Sequence, residues 1–317
     1  MFWRAMRIPD DGAPGKRIPA LTRLMRRYII GPSASSHSAP ADLLERPNRA
    51  NCQIHQPQRS HSDLSDEKPI LLEHDGSVAI VTLNRPHAMN ALSRQLFTEL
   101  YATMDKLDEE DETSVIVVTG AGDRAFSAGA DIKEMARLAE QDVPPPSSNF
   151  SEHSWRFATG RKPRIGALNG LCYGGGGVLS TSFDIRVGCD KTRFRFLAVT
   201  YGRINNSWLL PTIVGLPMAR EYLLTGRVVE PDEALAAGLL NHLVPQDQVL
   251  TKALEIAQDI AKNDQRMVQG AKRLIDGNIG RSWRAQFEEE LNEQKEKLAP
   301  TPVLEGFASF IDRKGTG

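Results

Sequence analysis

Cysteine is scarce in this chain: Cys52, Cys172 and Cys189 are the only three in 317 residues. They form no CxxC pair and no disulfide framework, which fits a reducing compartment and no metal site. Long hydrophobic runs are missing too. None approaches the ~20 apolar residues of a membrane span, so no membrane partner is expected. Nor is there an excess of charge of either sign. A formal net charge of −1 gives no electrostatic reason to expect a nucleic acid as partner. What is left, 40% hydrophobic and 25% charged residues, is an ordinary globular composition, long enough for one large domain or two smaller ones.

One stretch stands out from that background. It runs from Asn169 to Asp184 around four consecutive glycines, Gly174 to Gly177. A strand-like run, Ile165 to Asn169, leads in, and a short apolar helix, Val178 to Phe183, is expected to lead out. Glycine lets the backbone turn sharply and lets a ligand approach bare N–H groups. Those groups would sit at a helix N-terminus, where the dipole favours negative charge. Such a turn can hold a phosphate, or the developing oxyanion of a reacting carbonyl. A phosphate loop needs Lys-Ser/Thr after the last glycine, or a GxGxxG spacing with an acid beyond it. Val178 and Leu179 supply neither. The oxyanion is the favoured reading, and a glycine turn packed for structure alone is the alternative.

Residues 1–66 differ in character, being rich in Arg, Pro, Ser and His and poor in acids. A disordered extension is the favoured reading. A mitochondrial transit peptide competes with it, although Asp10 and Asp11 sit badly with that, as does a later translation start. No apolar core of about 7–15 residues follows the first basic residues, so no secretory signal fits.

Globular patterning begins near Pro69. Val78–Asn84 and Val115–Thr119 read as strands, the second buried on both faces. Between them Ser93 is placed to cap a helix in which Phe97, Leu100, Tyr101, Met104 and Leu107 form a buried stripe. A second set of small residues, Ala128 to Ala130, precedes a helix that opens at Asp131. A two-donor oxyanion hole needs one N–H from each of two such strand-to-helix junctions. Asp131 and Glu134 are assigned to complementing the helix dipole rather than to acid–base work. Gln141 to Asn149 reads as a mobile flap beside the site. Helices are expected around Leu209–Val214, over Glu230–Gly238, Gln248–Ala261, Gln265–Ile275 and Trp283–Leu298, and in a last apolar segment, Glu305–Arg313.

Three motifs then carry a resemblance: Val81-Thr-Leu-Asn-Arg-Pro86 with Asn90-Ala-Leu92, Ala125-Phe-Ser-Ala-Gly-Ala-Asp-Ile-Lys-Glu-Met135, and Asn169-Gly170 with Gly174-Gly-Gly176. In this order and spacing the chain resembles the enoyl-CoA hydratase/isomerase (crotonase) superfamily over roughly Ile70 to Lys314. The resemblance implies an α/β fold, with a ββα spiral core over residues 67–255. A C-terminal helical region, 256–317, would trimerise into a homotrimer or a dimer of trimers. It implies acyl-CoA thioester substrates, with CoA as part of the substrate and no separate cofactor. By motif position, the backbone N–H groups of Ala130 and Gly175 would hold the thioester enolate. Backbone around His87, Ala88 and Met89, and along Ala130, Asp131, Ile132 and Lys133, would hold the CoA adenine and phosphates. Phe310 and Arg313 match positions that reach the CoA of a neighbouring subunit. The cytoplasm is the expected compartment, or the mitochondrial matrix if residues 1–66 are a transit peptide.

The family's hydratases use two glutamates. The first lies two residues after the glycine triplet and the second fourteen residues past the Asp matched by Asp184; here those positions are Val178 and Ala198. Hydration needs one group to activate water and another to deliver a proton, and neither side chain can do so. The resemblance with both carboxylates missing points to enolate chemistry without a strong base, such as isomerisation or decarboxylation, or to a catalytically silent acyl-CoA-binding homologue. Tyr201 and Asn205 are the first candidates for replacement groups, with Asn206, Tyr173, His153 and Glu152 behind them. Tyr173 and Trp208 also read as wall residues, His153 as a solvated loop histidine and His242 as a structural one. Asp184 is expected to anchor core backbone.

Overall fold

The computed structural model describes residues 68–143, 149–308 and 310–311. The expectations for residues 1–66, for the centre of the flap and for Arg313 lie outside the described residues.

Strands β1 (Ile70–Asp75) and β2 (Val78–Leu83) form an antiparallel hairpin. Ser93 then caps α1 (Arg94–Glu109), its Oγ accepting from the Leu96 N–H at 3.2 Å. The expected stripe is buried at Leu100, Tyr101, Met104 and Leu107 and half-buried at Phe97. From there the chain makes the same excursion repeatedly. A strand of a large sheet is followed by a short strand of a second sheet, and in two of the three excursions a helix closes the turn. The pairs are β3 (Val115–Gly120) with β4 (Ala125–Ser127), leading to α2 (Ile132–Glu140) and α3 (Asn149–Ala158). Next come β5 (Arg164–Leu168) with β6 (Leu171–Tyr173) and α4 (Gly175–Thr181), then β7 (Ile185–Gly188) with β8 (Phe194–Arg195).

The rest is mainly helical. It comprises α5 (Leu210–Thr225, kinked at Gly215), β9 (Val228–Val229), α6 (Pro231–Ala236), β10 (His242–Leu243), α7 (Val249–Ala261), α8 (Gln265–Gly277), α9 (Trp283–Glu296) and α10 (Val303–Gly306). The large sheet has the order β1-β2-β3-β5-β7-β10, parallel from β2 onward, and the small one β4-β6-β8-β9. No helix among the described residues is long and apolar enough to cross a membrane.

Strand alternation divides the core in two. Val115 and Val117 of β3, with Ile165 and Ala167 of β5, face the α7 stripe of Val249, Ala253 and Ala257. Ile116 and Val118 face the opposite cluster, with Phe126, Phe183, Phe194 and Phe196 between the sheets. That is why β3 reads as a continuous apolar run: both of its faces are covered. Asp184 behaves as expected. Its Oδ2 accepts from the Arg164 N–H at 2.7 Å, and its Oδ1 pairs with Lys272 of α8, tying the C-terminal helices to the sheet.

Candidate active site

The turn after β6 and the turn after β4 meet. Gly174 adopts φ 50°, ψ −118°, so α4 opens on Gly175 and ends at Thr181, a correction to the Val178–Phe183 helix expected from the apolar run. The apolar pattern marked only the part of the helix that has side chains. Gly175 N–H is therefore the first amide of the helix and has no acceptor within it. On the other side, Leu92 and Ala130 form a parallel bridge. Leu92 N–H donates to Gly129 O at 2.8 Å, and Asp131 N–H to Leu92 O at 3.2 Å. That pattern leaves the Ala130 N–H unused by the bridge. Neither it nor the Gly175 N–H donates a hydrogen bond among the described residues.

The two segments approach backbone to backbone. Gly129 sits at φ 93°, and a Cβ on it would lie 2.5 Å from Tyr173 O and 2.9 Å from Gly175 N. A Cβ on Gly176 would lie 2.3 Å from Ser127 O. At Gly175 itself a Cβ would stand 3.5 Å from the Ala130 nitrogen and 3.2 Å from Leu92 Cδ1. Two unengaged amides from separate junctions thus border one small space.

Side chains fix this arrangement. Asn90, fully buried at φ 53°, donates from Nδ2 to Ala121 O and Ala125 O at 2.9 Å and accepts from the Arg85 N–H at 3.0 Å. Ser127 Oγ donates to Asn90 O at 2.8 Å. Arg85 reaches Ala91 O at 2.7 Å and Asp131 Oδ2 at 3.0 Å, while Asp131 Oδ1 accepts from the Glu134 N–H at 3.1 Å. Burial pushes the Asp131 carboxyl up, but the Glu134 N–H and Arg85 outweigh it and hold the group below the usual carboxylate range. Glu134 Oε2 accepts from the Arg94 N–H at 2.8 Å. Both acids thus serve helix ends, as expected. Asn90 and Arg85 carry much of the site's geometry, and their places within the first motif were their only signal.

The enoyl-CoA hydratase/isomerase family profile matches residues 73–316. The chain belongs to the enoyl-CoA hydratase/isomerase family. It is 32% identical over 252 residues to a protein of Mycobacterium bovis named probable enoyl-CoA hydratase, covering 77% of this chain and 95% of that one. The solved enoyl-CoA hydratase of Bacillus anthracis is similar in structure, with a TM-score of 0.69 at 29% identity over 77% of this chain and 96% of its own. A monofunctional enoyl-CoA isomerase of Mycobacterium smegmatis gives 0.60 at 28% identity, over 70% and 99%. The expected α/β fold is therefore that of the family.

The other expected site residues lie on several separate segments. His87 (exposed), with Ala88 and Met89 (half-buried), forms a tight turn beside the β4–α2 loop, joined to it by Ala128 N–H donating to Met89 O at 2.9 Å. Ala130, Ile132 and Lys133 are exposed on that loop and at the start of α2. Val178 is half-buried one turn along α4 from Gly175, and Ala198 opens a short 3-10 turn that ends at Tyr201, which is 71% exposed. Asn205 Oδ1 and Asn206 Nδ2 are buried without a partner among the described residues, and Asn206 Oδ1 accepts from Thr181 Oγ1 at 3.1 Å. His153 and Glu152 are not on a loop: both lie on α3, and His153 stacks on Tyr101 with centroids 5.3 Å apart. That stack joins residues far apart in sequence, and no local pattern signals it. Phe310, half-exposed, lies beyond α10 at the chain's far end.

Proposed function

We propose that this protein is an acyl-CoA thioester enzyme that stabilises an enolate with the N–H groups of Ala130 and Gly175. The observation that supports this is the close approach of the two segments bearing those amides, each amide without an acceptor among the described residues. Donors aimed at a developing oxyanion are worth most when they are fixed beforehand, and the Asn90, Arg85 and Asp131 contacts supply that rigidity. With Val178 and Ala198 at the two glutamate positions, the site has no carboxylate there to activate water. The reading is isomerase- or decarboxylase-like chemistry rather than hydration. Loss of CO2 itself generates an enolate, and an apolar Val178 beside a substrate carboxylate would favour that loss. Tyr201 and Asn205 are the groups offered for proton handling. The loops at His87–Met89 and Ala130–Lys133 would take the CoA, with Phe310 and Arg313 contributed to a neighbour. The exposed Ile275, Trp283 and Phe287 of the C-terminal helices, with Ile279 in the turn between α8 and α9, suit the proposed homotrimer or dimer of trimers.

The test is a panel of crotonyl-, 3-enoyl-, methylmalonyl- and 3-methylglutaconyl-CoA with purified protein. Turnover of any but crotonyl-CoA is the expected result. Hydration of crotonyl-CoA at a rate typical of a hydratase would sink the reading of Val178 and Ala198. Binding of all with turnover of none would favour a silent acyl-CoA-binding homologue, which the missing carboxylates also suit.

A further inference from the structure

Ser127 is the last residue of β4 and is fully buried. A serine hydroxyl has one hydrogen to donate and lone pairs to accept with, and Ser127 uses both. Its Oγ donates to Asn90 O at 2.8 Å and accepts from the Gly129 N–H at 3.2 Å. The second bond reaches two residues along the chain, a turn that serine closes with its own side chain.

Gly129 sets the direction of the Ala130 amide. Gly129 O and Ala130 N–H belong to one peptide group, which is planar and trans, so the two point in opposite directions. Leu92 N–H holds that oxygen at 2.8 Å. Ser127 holds the N–H on the other side of the same residue. What lies between is the Gly129 backbone at φ 93°, where glycine moves with little steric restraint. The stiffness of the peptide therefore comes from the two hydrogen bonds that bracket it. Ser127 also stands against the other junction. A Cβ on Gly176 would lie 2.3 Å from Ser127 O and 2.8 Å from Ser127 Cβ, and Gly176 follows Gly175 in the first turn of α4. One residue thus abuts both segments that carry the unengaged amides.

We propose that Ser127 is a positioning residue, its hydroxyl fixing the angle at which the Ala130 N–H meets the thioester oxygen. This rests on the enolate-holding reading above and adds the group that aligns one of its donors. In Ser127→Ala, Asn90 O and the Gly129 N–H both lose this partner, and the Gly129–Ala130 peptide can turn. A donor held at the wrong angle lowers the rate while contacts to the rest of the ligand keep the affinity.

The experiment reads the thioester carbonyl directly. Butyryl-CoA, isotope-labelled at that carbonyl, has no double bond and no second carboxylate to react. Infrared difference spectra of its complex with the full chain report the hydrogen bonds that its oxygen accepts. The native chain is expected to lower the stretching frequency below that of free butyryl-CoA. Ser127→Ala should abolish about half of that shift or more, with Kd changed less than about threefold. Ser127→Cys, which keeps a weak donor and acceptor, should fall between. On any thioester of the panel that turns over, kcat should drop ~10–100-fold in Ser127→Ala with KM little changed. Thr192→Val is the control. Thr192 is fully buried in the β7–β8 connection, and its Oγ1 donates to Leu168 O at 2.6 Å and accepts from the Cys189 N–H at 2.8 Å. It loses the same kind of hydroxyl and should leave the carbonyl shift and kcat native. Thermal melts check folding, and Ser127→Cys carries the test if Ser127→Ala does not fold. An unchanged carbonyl shift in the folded Ser127 variant, or an equal change in Thr192→Val, overturns the inference and leaves the enolate-holding reading in place. No shift in the native complex, or no binding of butyryl-CoA, sinks both.

Discussion

Gly175 allows one of the two proposed oxyanion donors to be deleted. It is the first residue of α4, where a missing N–H breaks no helical hydrogen bond and the fixed φ of proline is already suitable. Gly174 before it stands at φ 50°, ψ −118°. That is close to the mirror image of the extended conformation preferred before proline, and glycine occupies mirror regions freely. Only Leu92 Cδ1, 3.2 Å from a Cβ at this position, must give way. Gly175→Ala makes the same Cβ demand but keeps the N–H, so comparing Gly175→Pro with Gly175→Ala removes the Cβ contribution and leaves the loss of the N–H together with the proline Cδ that takes its place. Removing one such donor costs ~10²–10³ in kcat, or ~2.7–4 kcal/mol. The assay is kcat and KM for both variants on the best thioester of the panel, with thermal melts to check folding. The alanine variant is expected within about tenfold of the native enzyme, and the proline variant roughly a further hundredfold lower in kcat with KM little changed. A folded proline variant as active as the alanine one would refute the assignment of the Gly175 N–H.

Other consequences can be measured without a substrate. Asp108→Ala strips the carboxylate from the Arg164 guanidinium, which is 2% exposed and sits 2.8 Å from Asp108; urea unfolding should show a loss of ~3–5 kcal/mol, and no measurable loss would contradict the burial argument. Asp131→Asn keeps a capping oxygen but removes the charge opposite Arg85. The native carboxyl is depressed, so its contribution is present above the unfolded pKa and is lost as pH falls through the folded one. The gap in Tm between the two proteins should accordingly be open at neutral pH and close in acid, below the usual carboxylate range; a gap independent of pH would rule out the ion pair. Gly176→Ala would place a methyl 2.3 Å from Ser127 O and should destabilise by ~1–3 kcal/mol. Gly277→Ala, where a Cβ meets nothing within 4 Å, should be neutral or stabilising, and equal losses in the two would deny that Gly176 marks a backbone contact.

What could be read before the structure was whatever repeats with a period or punctuates a turn. The α1 stripe, the doubly buried β3 and the cap at Ser93 each have a local cause, so a local pattern revealed them. The start of α4 was misplaced because glycine contributes no apolar signal, and its helical residues were invisible to a pattern built on side chains. His153 was placed on a loop for a related reason. The contact that holds it, a stack on Tyr101 of α1, joins residues far apart in sequence and leaves no local trace. The Thr181–Asn206 bond is long-range in the same sense. The three motifs fared better because each contains residues whose backbone demands are severe, namely Gly129, Asn90 and Gly176.

That difference bears on how far family membership carries a reaction. The paired amides depend on topology and on positions where a side chain would collide with backbone, such as 2.3 Å from Ser127 O at Gly176. Substitution there costs the fold as well as the site, so any chain that keeps the spiral tends to keep the donors. Positions 178 and 198 make no such demand. Both are half-buried, and a valine or an alanine fits a helix or a 3-10 turn without disturbing the amides. The proposed enolate-holding part of the site and its acid–base part are therefore separable. Resemblance in fold argues for the first, while the second has to be argued from the side chains present. An isopropyl and a methyl group at those two positions argue against activated water.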